Sequence, residues 1–600
     1  MRRSKRNNSD SGAQLLLNFD SSAAPVPAVL ERADAVPIEP GFLDERFADL
    51  MVSLNGAADS DLAAAARTAS AWRAAGHICV PLQQIRTTQP LLDTRLLATK
   101  VVGPPGTWRP LILDDAGRLY LQRYWQYQQQ LADAILARVA APKLTVDPAL
   151  LSRGLDDFFA PAPDDQRTAA EAALTRSFCV ITGGPGSGKT RTVAGIIALL
   201  HAQFTAAGNE LHVALAAPTG KAAARMTESI RNALSALPVA SQSVINLQAA
   251  NDAVTLYRLL GITPDDQIPR FDANHPLPVD AVIVDEASMI DLALMAKLFA
   301  AVPSTARIIL LGDKDQLASV EAGHVLGDIC LYNQAEAAAP LRDCIVELRK
   351  SYRFASGSGI HRLASAVNDG NADRALELLR TGSNDISSMD LPRPESLGRS
   401  LRPLVIGGFR DALTAPDPHS ALAALDRFRI LCAVRQGPYG VETINRLAEA
   451  ALAAESLIEP GASHFHGRPI IILRNDYTLR LFNGDVGLIL RDSEAGHALR
   501  AFFVAPDGAL RKIVPARLPE HETVWSMTVH KSQGSEFERV LLILPDRDYP
   551  VLTRELLYTA ITRPKKAVEI WQRESVLRTA IARRTERLSG LHDALWNPTR

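Results

Sequence analysis

The chain has 600 residues, room for about three to five domains, and carries 65 Lys and Arg against 66 Asp and Glu, a balance that excludes attraction to nucleic acid by net charge alone while allowing a local basic channel. Five scattered cysteines, Cys79, Cys179, Cys330, Cys344 and Cys432, form no C-x-x-C pair, which argues against a zinc site or disulfide framework and for a reducing, cytoplasmic setting. No apolar run approaches the ~18 residues of a membrane-crossing helix, so no membrane partner is expected.

Residues 1–40 are polar, Pro- and Ala-rich, and are expected to form a loose tail. Its basic start, Arg2-Arg3-Ser4-Lys5-Arg6, is followed by Asp10 and only a short Leu15-Leu16-Leu17 run, so a solvated tail is expected rather than a secretory leader. Helical periodicity begins with Phe42, Phe47, Leu50, Met51 and Leu54 and resumes from Leu62 to Trp72, opening a mainly helical amino-terminal domain over 41–145. Leu111-Ile112-Leu113 and Leu119-Tyr120-Leu121 bracket a hairpin turn at Asp114 to Arg118. The helix after it carries Tyr124, Trp125, Tyr127, Leu131 and Ile135, and its aromatics are expected in the core rather than on a base-stacking surface. Pro142 to Pro163, with its prolines and acidic residues, reads as a linker.

From about 164 strand and helix alternate, predicting an α/β fold with mainly parallel sheets and ligands at the carboxyl ends of the strands. Apolar Phe178 to Thr182 runs into Gly183-Gly184-Pro185-Gly186-Ser187-Gly188-Lys189-Thr190 and then into a helical pattern, the context of a phosphate-binding loop. In such a loop the glycines let several N–H groups face one point, Lys189 reaches the outer phosphates, and the Thr190 hydroxyl can ligate Mg²⁺. Two more apolar strands deliver polar residues to the same edge: Ala281 to Val284 ends in Asp285-Glu286, and Ile308 to Leu311 ends in Gly312-Asp313-Lys314-Asp315-Gln316. Phosphoryl transfer to water needs a held metal, a polarised water and stabilised negative charge. Asp285 suits the Mg²⁺ shell together with Thr190, Glu286 the general base, and Gln316 the sensing of a terminal phosphate. Gln166, one helix upstream, carries an amide that can pair with an adenine edge.

These motifs, with Ala217-Pro218-Thr219-Gly220-Lys221, Ser351-Tyr352-Arg353-Phe354, Thr528-Val529-His530-Lys531-Ser532-Gln533-Gly534-Ser535-Glu536-Phe537 and Tyr558-Thr559-Ala560-Ile561-Thr562-Arg563, resemble the ordered motif set of superfamily 1 helicases. Within that superfamily the chain is similar to the RecD family, the alpha subunits of exodeoxyribonuclease V. Gly117 to Leu121, the Tyr-Trp helix and Arg435-Gln436-Gly437-Pro438-Tyr439-Gly440 favour that family over other members.

The resemblance implies two RecA-like lobes, at 146–365 and 366–600, with ATP and Mg²⁺ between them and single-stranded DNA across their tops, moving 5′ to 3′. By matching positions, Gln166 and Tyr352 hold the adenine, Glu536 lies near the ribose, and Arg353 and Arg563 reach the γ-phosphate from the second lobe. Pro564 departs from the expected alanine, but a proline at a helix's first turn leaves Arg563 its geometry. Thr219, Lys221, Thr528, His530 and Lys531 are the implied DNA contacts, mostly to phosphates. A short insertion about 255–280 is expected in lobe 1. A small SH3-like β-barrel is expected in lobe 2, at about 465–520, on the strand-rich Pro469 to Val514 stretch with its Asn483-Gly484-Asp485 turn.

The implied partners are single- and double-stranded DNA ends and RecB-like and RecC-like subunits of a heterotrimer acting in double-strand-break repair by homologous recombination, with the amino-terminal domain docking on a partner. Any nuclease activity is expected in a partner subunit. A structural or regulatory subunit with dispensable ATPase, or a stand-alone superfamily 1 helicase, is the alternative, and the intact Lys189, Thr190, Asp285, Glu286, Gln316, Arg353 and Arg563 argue against decay of the motor.

Overall fold

The computed structural model describes residues 38–86, 91–235, 252–263, 266, 268–319, 321–332, 339–354, 357–459, 461, 463–476, 478–505 and 508–597, and the elements below all lie in one compact unit, Pro40–Arg600. The expected loose tail falls outside the described residues as far as 37.

The amino-terminal domain opens with helices Phe42–Asn55 and Ser60–Ala74; Asp59 caps the second by accepting the N–H groups of Asp61 and Leu62, both at 3.0 Å. A four-stranded sheet follows, in the order Cys79–Pro81, Arg118–Leu121, Leu111–Leu113, Val102–Gly103. Its central hairpin turns through Gly117 at φ 72°, and Asp114 Oδ1 accepts from Ala116 and Arg118 N–H at 3.1 and 2.9 Å. Helix Gln122–Ala140 then packs against helix Leu292–Ala301 of the first lobe. Arg138 fixes that contact by donating to the carbonyls of Ala306 and Val302, both at 2.7 Å. Leu131 and Ile135 belong to the same core as Phe178 and Val180, so this domain is fused to the first lobe by packing, while Tyr124, Trp125 and Tyr127 are only half-buried.

Lobe 1 is a six-stranded, all-parallel sheet in the order Ile345–Glu347, Phe178–Thr182, Arg307–Gly312, Ala281–Val284, Val213–Ala217, Val254–Thr255. Its central strands are continuous apolar runs because helices cover both faces, which leaves two separate cores. The segment 255–280 continues from the edge strand through helix Leu256–Leu259 into turns, with Leu256, Leu260, Ile262 and Leu277 buried.

Lobe 2 repeats the plan with five parallel strands, Ile386–Asp390, Pro564–Gln572, Phe537–Ile543, Phe428–Cys432 and Ser526–Thr528. The last two pair directly in space, and the chain between them in sequence forms a separate five-stranded antiparallel sheet: Leu510–Ile513, Ala498–Val504, Val486–Asp492, Arg468–Ile472, His521–Thr523. It has its own small core of Ile470, Ile472, Leu481, Ile489, Ala501, Phe503 and Ile513. Its turn at Asn483-Gly484-Asp485 reaches lobe 1, where the Phe482 ring lies so close to Gly220 that a side chain there would strike it. All five cysteines are buried free thiols, and among the described residues no helix is long and apolar enough to cross a membrane.

Candidate active site

The strand Phe178–Thr182 is buried along its whole length, and Gly183 N–H donates to Gly312 O at 3.1 Å where the chain leaves it. Gly186 and Gly188 take φ values of 78° and 87°, a left-handed backbone that side chains rarely adopt. Close approach is a second reason for glycine: a methyl at Gly186 would collide with Cβ of Arg353, and one at Gly188 with the Gln166 amide. The curl opens helix Lys189–Ala206, so loop N–H groups and the positive helix end meet in one place. The Lys189 ammonium lies over the loop, donating to the Gly183 carbonyl and, at 3.2 Å, to that of Gly184. Gln166 donates its amide to Ser187 O at 3.2 Å, and Tyr352, whose ring is exposed, donates its N–H to Gly186 O at 2.7 Å. The two residues expected at the adenine thus flank the loop.

Asp285 and Glu286 leave the buried strand Ala281–Val284 beside Thr190, and all three line one cleft of about 410 Å³ with Arg353, Gly534 and Glu536. Glu286 holds a φ of 52°, strained for a residue with a side chain, and donates its N–H to Asp285 Oδ1 at 2.8 Å. Burial raises both carboxyl pKa values. At Asp285 the Lys189 charge opposes the rise; at Glu286 the neighbouring Asp285 adds to it, and Arg563 and Lys189 oppose it.

Arg353 and Arg563 both reach this region, but from different elements. Arg563 ends the helical turn after Arg554–Ile561 in lobe 2, whereas Arg353 comes after Ile345–Glu347, the edge strand of lobe 1, and just before Phe354, which packs in the core of lobe 2. Arg353 thus stands in the segment that joins the two lobes, its guanidinium turned to Glu536 of lobe 2. Arg353 Nη2 donates to Glu536 Oε1, and its Nη1 is buried with no partner among the described residues. Glu536, expected at the ribose, stands in that ion pair and 3.5 Å from Lys565 Nζ; burial, the largest single effect, raises its pKa, but Arg353, Arg225 and Lys565 together lower it. Arg563 is buried and donates to Thr559 O at 3.0 Å and Ser535 O at 3.3 Å. Burial lowers its pKa, with Glu286 the leading opposing charge.

Gln316 is buried in the contact between lobes, its amide donating to Asp313 Oδ2 at 3.0 Å; the Tyr558 hydroxyl donates to the same oxygen at 3.1 Å. Next to it Leu317 N–H donates to Thr559 Oγ1 at 3.0 Å, and Gln533 donates to Leu317 O at 3.1 Å. Asp313, Tyr558, Thr559 and Gln533 were read as motif members without a role. The one local signal was an acid at the end of a buried strand.

The residues expected to meet DNA stand at the carboxyl edges of both sheets. Thr219 Oγ1 accepts Ala222 N–H at 3.2 Å where helix Gly220–Ser235 begins. Burial lowers the pKa of half-buried Lys221 to about 8, against the pull of Asp426 and Asp485 and with the help of Arg225 and Arg429. Thr528 Oγ1 accepts Lys531 N–H at 3.3 Å, and the Lys531 ammonium is paired with Glu522. His530 has its pKa lowered by burial and by nearby Arg587.

Two family models match: an AAA domain over residues 166–322 and a UvrD-like helicase C-terminal domain over 523–570. The RecBCD enzyme subunit RecD of Mycobacterium tuberculosis is 39% identical over 557 residues, covering 91% of this chain and 93% of that one. The chain belongs to the RecD family. The RecD subunit of Haemophilus influenzae is 33% identical over 79% of this chain and 80% of its own. The ATP-dependent RecD2 DNA helicase of Deinococcus radiodurans is 30% identical over 75% of this chain but only 54% of its own length. Among solved structures, Pif1 helicase from Candida albicans aligns with 74% of this chain at 14% identity and a TM-score of 0.38.

This RecD-family cleft fits a nucleotide and Mg²⁺ on its own chemistry. Ser187 Oγ and Arg353 Nη1 are buried hydrogen-bond donors with no partner among the described residues, beside the N–H-rich loop and Lys189, an arrangement suited to an anion. Thr190 and Asp285 bring a hydroxyl and a carboxylate to the same cleft, the hard oxygen ligands that Mg²⁺ takes one or two at a time.

Proposed function

We propose that the chain is an ATP-driven 5′-to-3′ DNA helicase subunit of a RecBCD-type helicase-nuclease, working beside RecB-like and RecC-like subunits at single- and double-stranded DNA ends in double-strand-break repair by homologous recombination. The observation that carries this reading is the convergence of the phosphate loop, Asp285, Glu286, Arg353 and Glu536 on one cleft whose lobe contacts, Asp313 with Tyr558 and Leu317 with Thr559 and Gln533, adjoin the expected strand contacts. Five buried free thiols fit a reducing cytoplasm.

The loop N–H groups and Lys189 bind and orient the phosphates. Gln166 and Tyr352 take the base, and Gln316 senses the terminal phosphate through its place in the lobe contact. Thr190 and Asp285 would hold Mg²⁺, which when bound neutralises phosphate charge. Glu286, its pKa raised by burial, receives the proton of the attacking water, since a base works best with a pKa near the working pH. Arg353 and Arg563 meet the negative charge that grows in the transition state, the role in which an arginine contributes roughly 10³ to 10⁵ in rate. Thr219, Lys221, Thr528, His530 and Lys531 hold phosphates of the strand and read no sequence.

ATP hydrolysis by the purified chain, with and without single-stranded DNA and beside Lys189→Gln, tests the motor. Strong stimulation abolished by the substitution is expected, followed by unwinding of 5′-overhang but not 3′-overhang duplexes. Absent hydrolysis both alone and in the assembled complex would leave a structural or regulatory subunit, and unwinding from a 3′ overhang alone would reverse the polarity.

A further inference from the structure

A second cleft, of about 190 Å³, opens between the amino-terminal domain and lobe 1. Tyr124, Tyr127 and Arg123 of helix Gln122–Ala140 form one wall, and Tyr257 of helix Leu256–Leu259 and Lys297 of helix Leu292–Ala301 the other. Tyr124 and Tyr127 meet edge to face with ring centroids 6.5 Å apart. Their hydroxyls are held by arginines, Tyr127 by Arg123 at 3.0 Å and Tyr124 by Arg73 at 3.4 Å, and the Arg123 guanidinium lies 5.6 Å from the Tyr127 ring centre. Tyr257 is 41% exposed. Three aromatic rings and two cations around a space the size of a nucleobase are more than core packing requires.

Position says what the groove can serve. Tyr257 follows strand Val254–Thr255, which pairs in parallel with Ala216–Ala217, so Tyr257 and Lys221 leave neighbouring strands at the same sheet edge. On the other rim, Glu321 and Ala322 belong to the loop after Leu317. The carbonyls of Glu321 and Gly323 in that loop accept from Arg587, which stands near His530. One side of the loop thus faces an expected strand contact of the motor, and the other lines the groove.

We infer that the groove is a second site for single-stranded DNA, where Tyr127, Tyr124 and Tyr257 stack on bases of the strand beyond the motor cleft and Arg123 and Lys297 meet its phosphates. This rests on the reading of the chain as a DNA motor. Aromatic faces take any base and cations any phosphate, so the grip is independent of sequence. Asp291 and Glu321 on the lobe 1 side repel phosphates, which favours entry of bases into the groove with the backbone outside.

The test measures binding of oligothymidylates of increasing length to the full chain at fixed salt, for wild type, Tyr127→Ala, Tyr257→Ala and Tyr127→Phe, with abasic sites in the outer nucleotides as a second arm. Each alanine variant is expected to remove about five- to a hundredfold of affinity on long strands. Abasic strands should lose the same affinity, without further loss in the variants, and Tyr127→Phe should bind as wild type. Equal binding of long strands by wild type and both alanine variants overturns the inference. Retained strand binding with failed assembly onto partner subunits overturns it in favour of a protein dock. A wild-type chain that binds no single-stranded DNA removes the motor reading as well, a distinguishable result. If an alanine variant fails to fold in a thermal melt, the abasic arm on the unaltered chain decides.

Discussion

Strand binding should weaken by about tenfold between roughly pH 7 and pH 9, with Lys221 as the cause. Burial holds its ammonium to a pKa of about 8 in the free chain, opposed by Asp426 and Asp485 and reinforced by Arg225 and Arg429, against an ordinary value of 10.5. A strand phosphate beside the ammonium returns the pKa toward that ordinary value, so binding takes up a proton. The sign follows: affinity is full below the free-state pKa and falls as pH rises through it. Linkage gives an affinity factor of about 1.1 at pH 7 and about 11 at pH 9.

Fluorescence anisotropy with a labelled oligonucleotide at constant ionic strength reads this directly. Lys221→Arg, charged throughout the range, should bind with a flat profile. A flat wild-type profile, or the same slope in the arginine variant, would refute the reasoning. The folded-state pKa also lies below the unfolded one, so charge at Lys221 opposes folding. That cost is fully present below about pH 8 and disappears as pH rises toward 10.5. It amounts to about 3 kcal/mol at most, and less after solvent screening of a half-buried group. Lys221→Met should therefore raise Tm at neutral pH while weakening strand binding.

Glu286→Gln should slow ATP hydrolysis by about 10² to 10⁴ in single turnover while nucleotide binding, measured by calorimetry, persists. Arg563→Ala should cost about 10³ to 10⁵ in hydrolysis rate and also lower Tm, because the Thr559 and Ser535 carbonyls lose a buried donor, at roughly 1 to 3 kcal/mol each. Tyr558→Phe removes the hydroxyl that Asp313 Oδ2 accepts across the lobes, a bond of about 1 to 2 kcal/mol, and should appear as a reduced stimulation of ATPase by single-stranded DNA.

The place of the phosphate loop, Asp285 and Glu286 around one cleft was legible in sequence because their strands, Phe178–Thr182, Ala281–Val284 and Arg307–Gly312, are short apolar runs that stop at glycine or acid. Such runs are what a sheet covered on both faces needs. The pairing of Tyr558 with Asp313, separated by 245 residues, leaves no local trace, and neither does the edge strand Ile345–Glu347 that leads to Arg353. Proline-rich 142–163 read as a linker, yet helix Pro148–Phe158 lies within it and puts Leu155, Phe158 and Phe159 into one core of lobe 1, while helix Gln122–Ala140 on its amino-terminal side shares the other. Periodicity identified its apolar face but not how much of that face a neighbour covers, which is why Tyr124 and Tyr127 read as core and stand half-buried beside an open groove.

Arg563 donates to the carbonyls of Thr559 and Ser535 and feels the charge of Glu286, so a phosphate bound in the cleft would compete with those carbonyls for it. Thr559 is also the residue whose hydroxyl accepts Leu317 N–H, and Leu317 O accepts from Gln533, two residues beyond Lys531. An anion that draws Arg563 from Thr559 therefore acts on the same short segment that positions the loop from Leu317 to Gly323. That loop touches Arg587, and through it the surroundings of His530. Release of this one buried arginine from Thr559 on anion binding would supply the two-state element that coupling between the cleft and the proposed strand contacts requires.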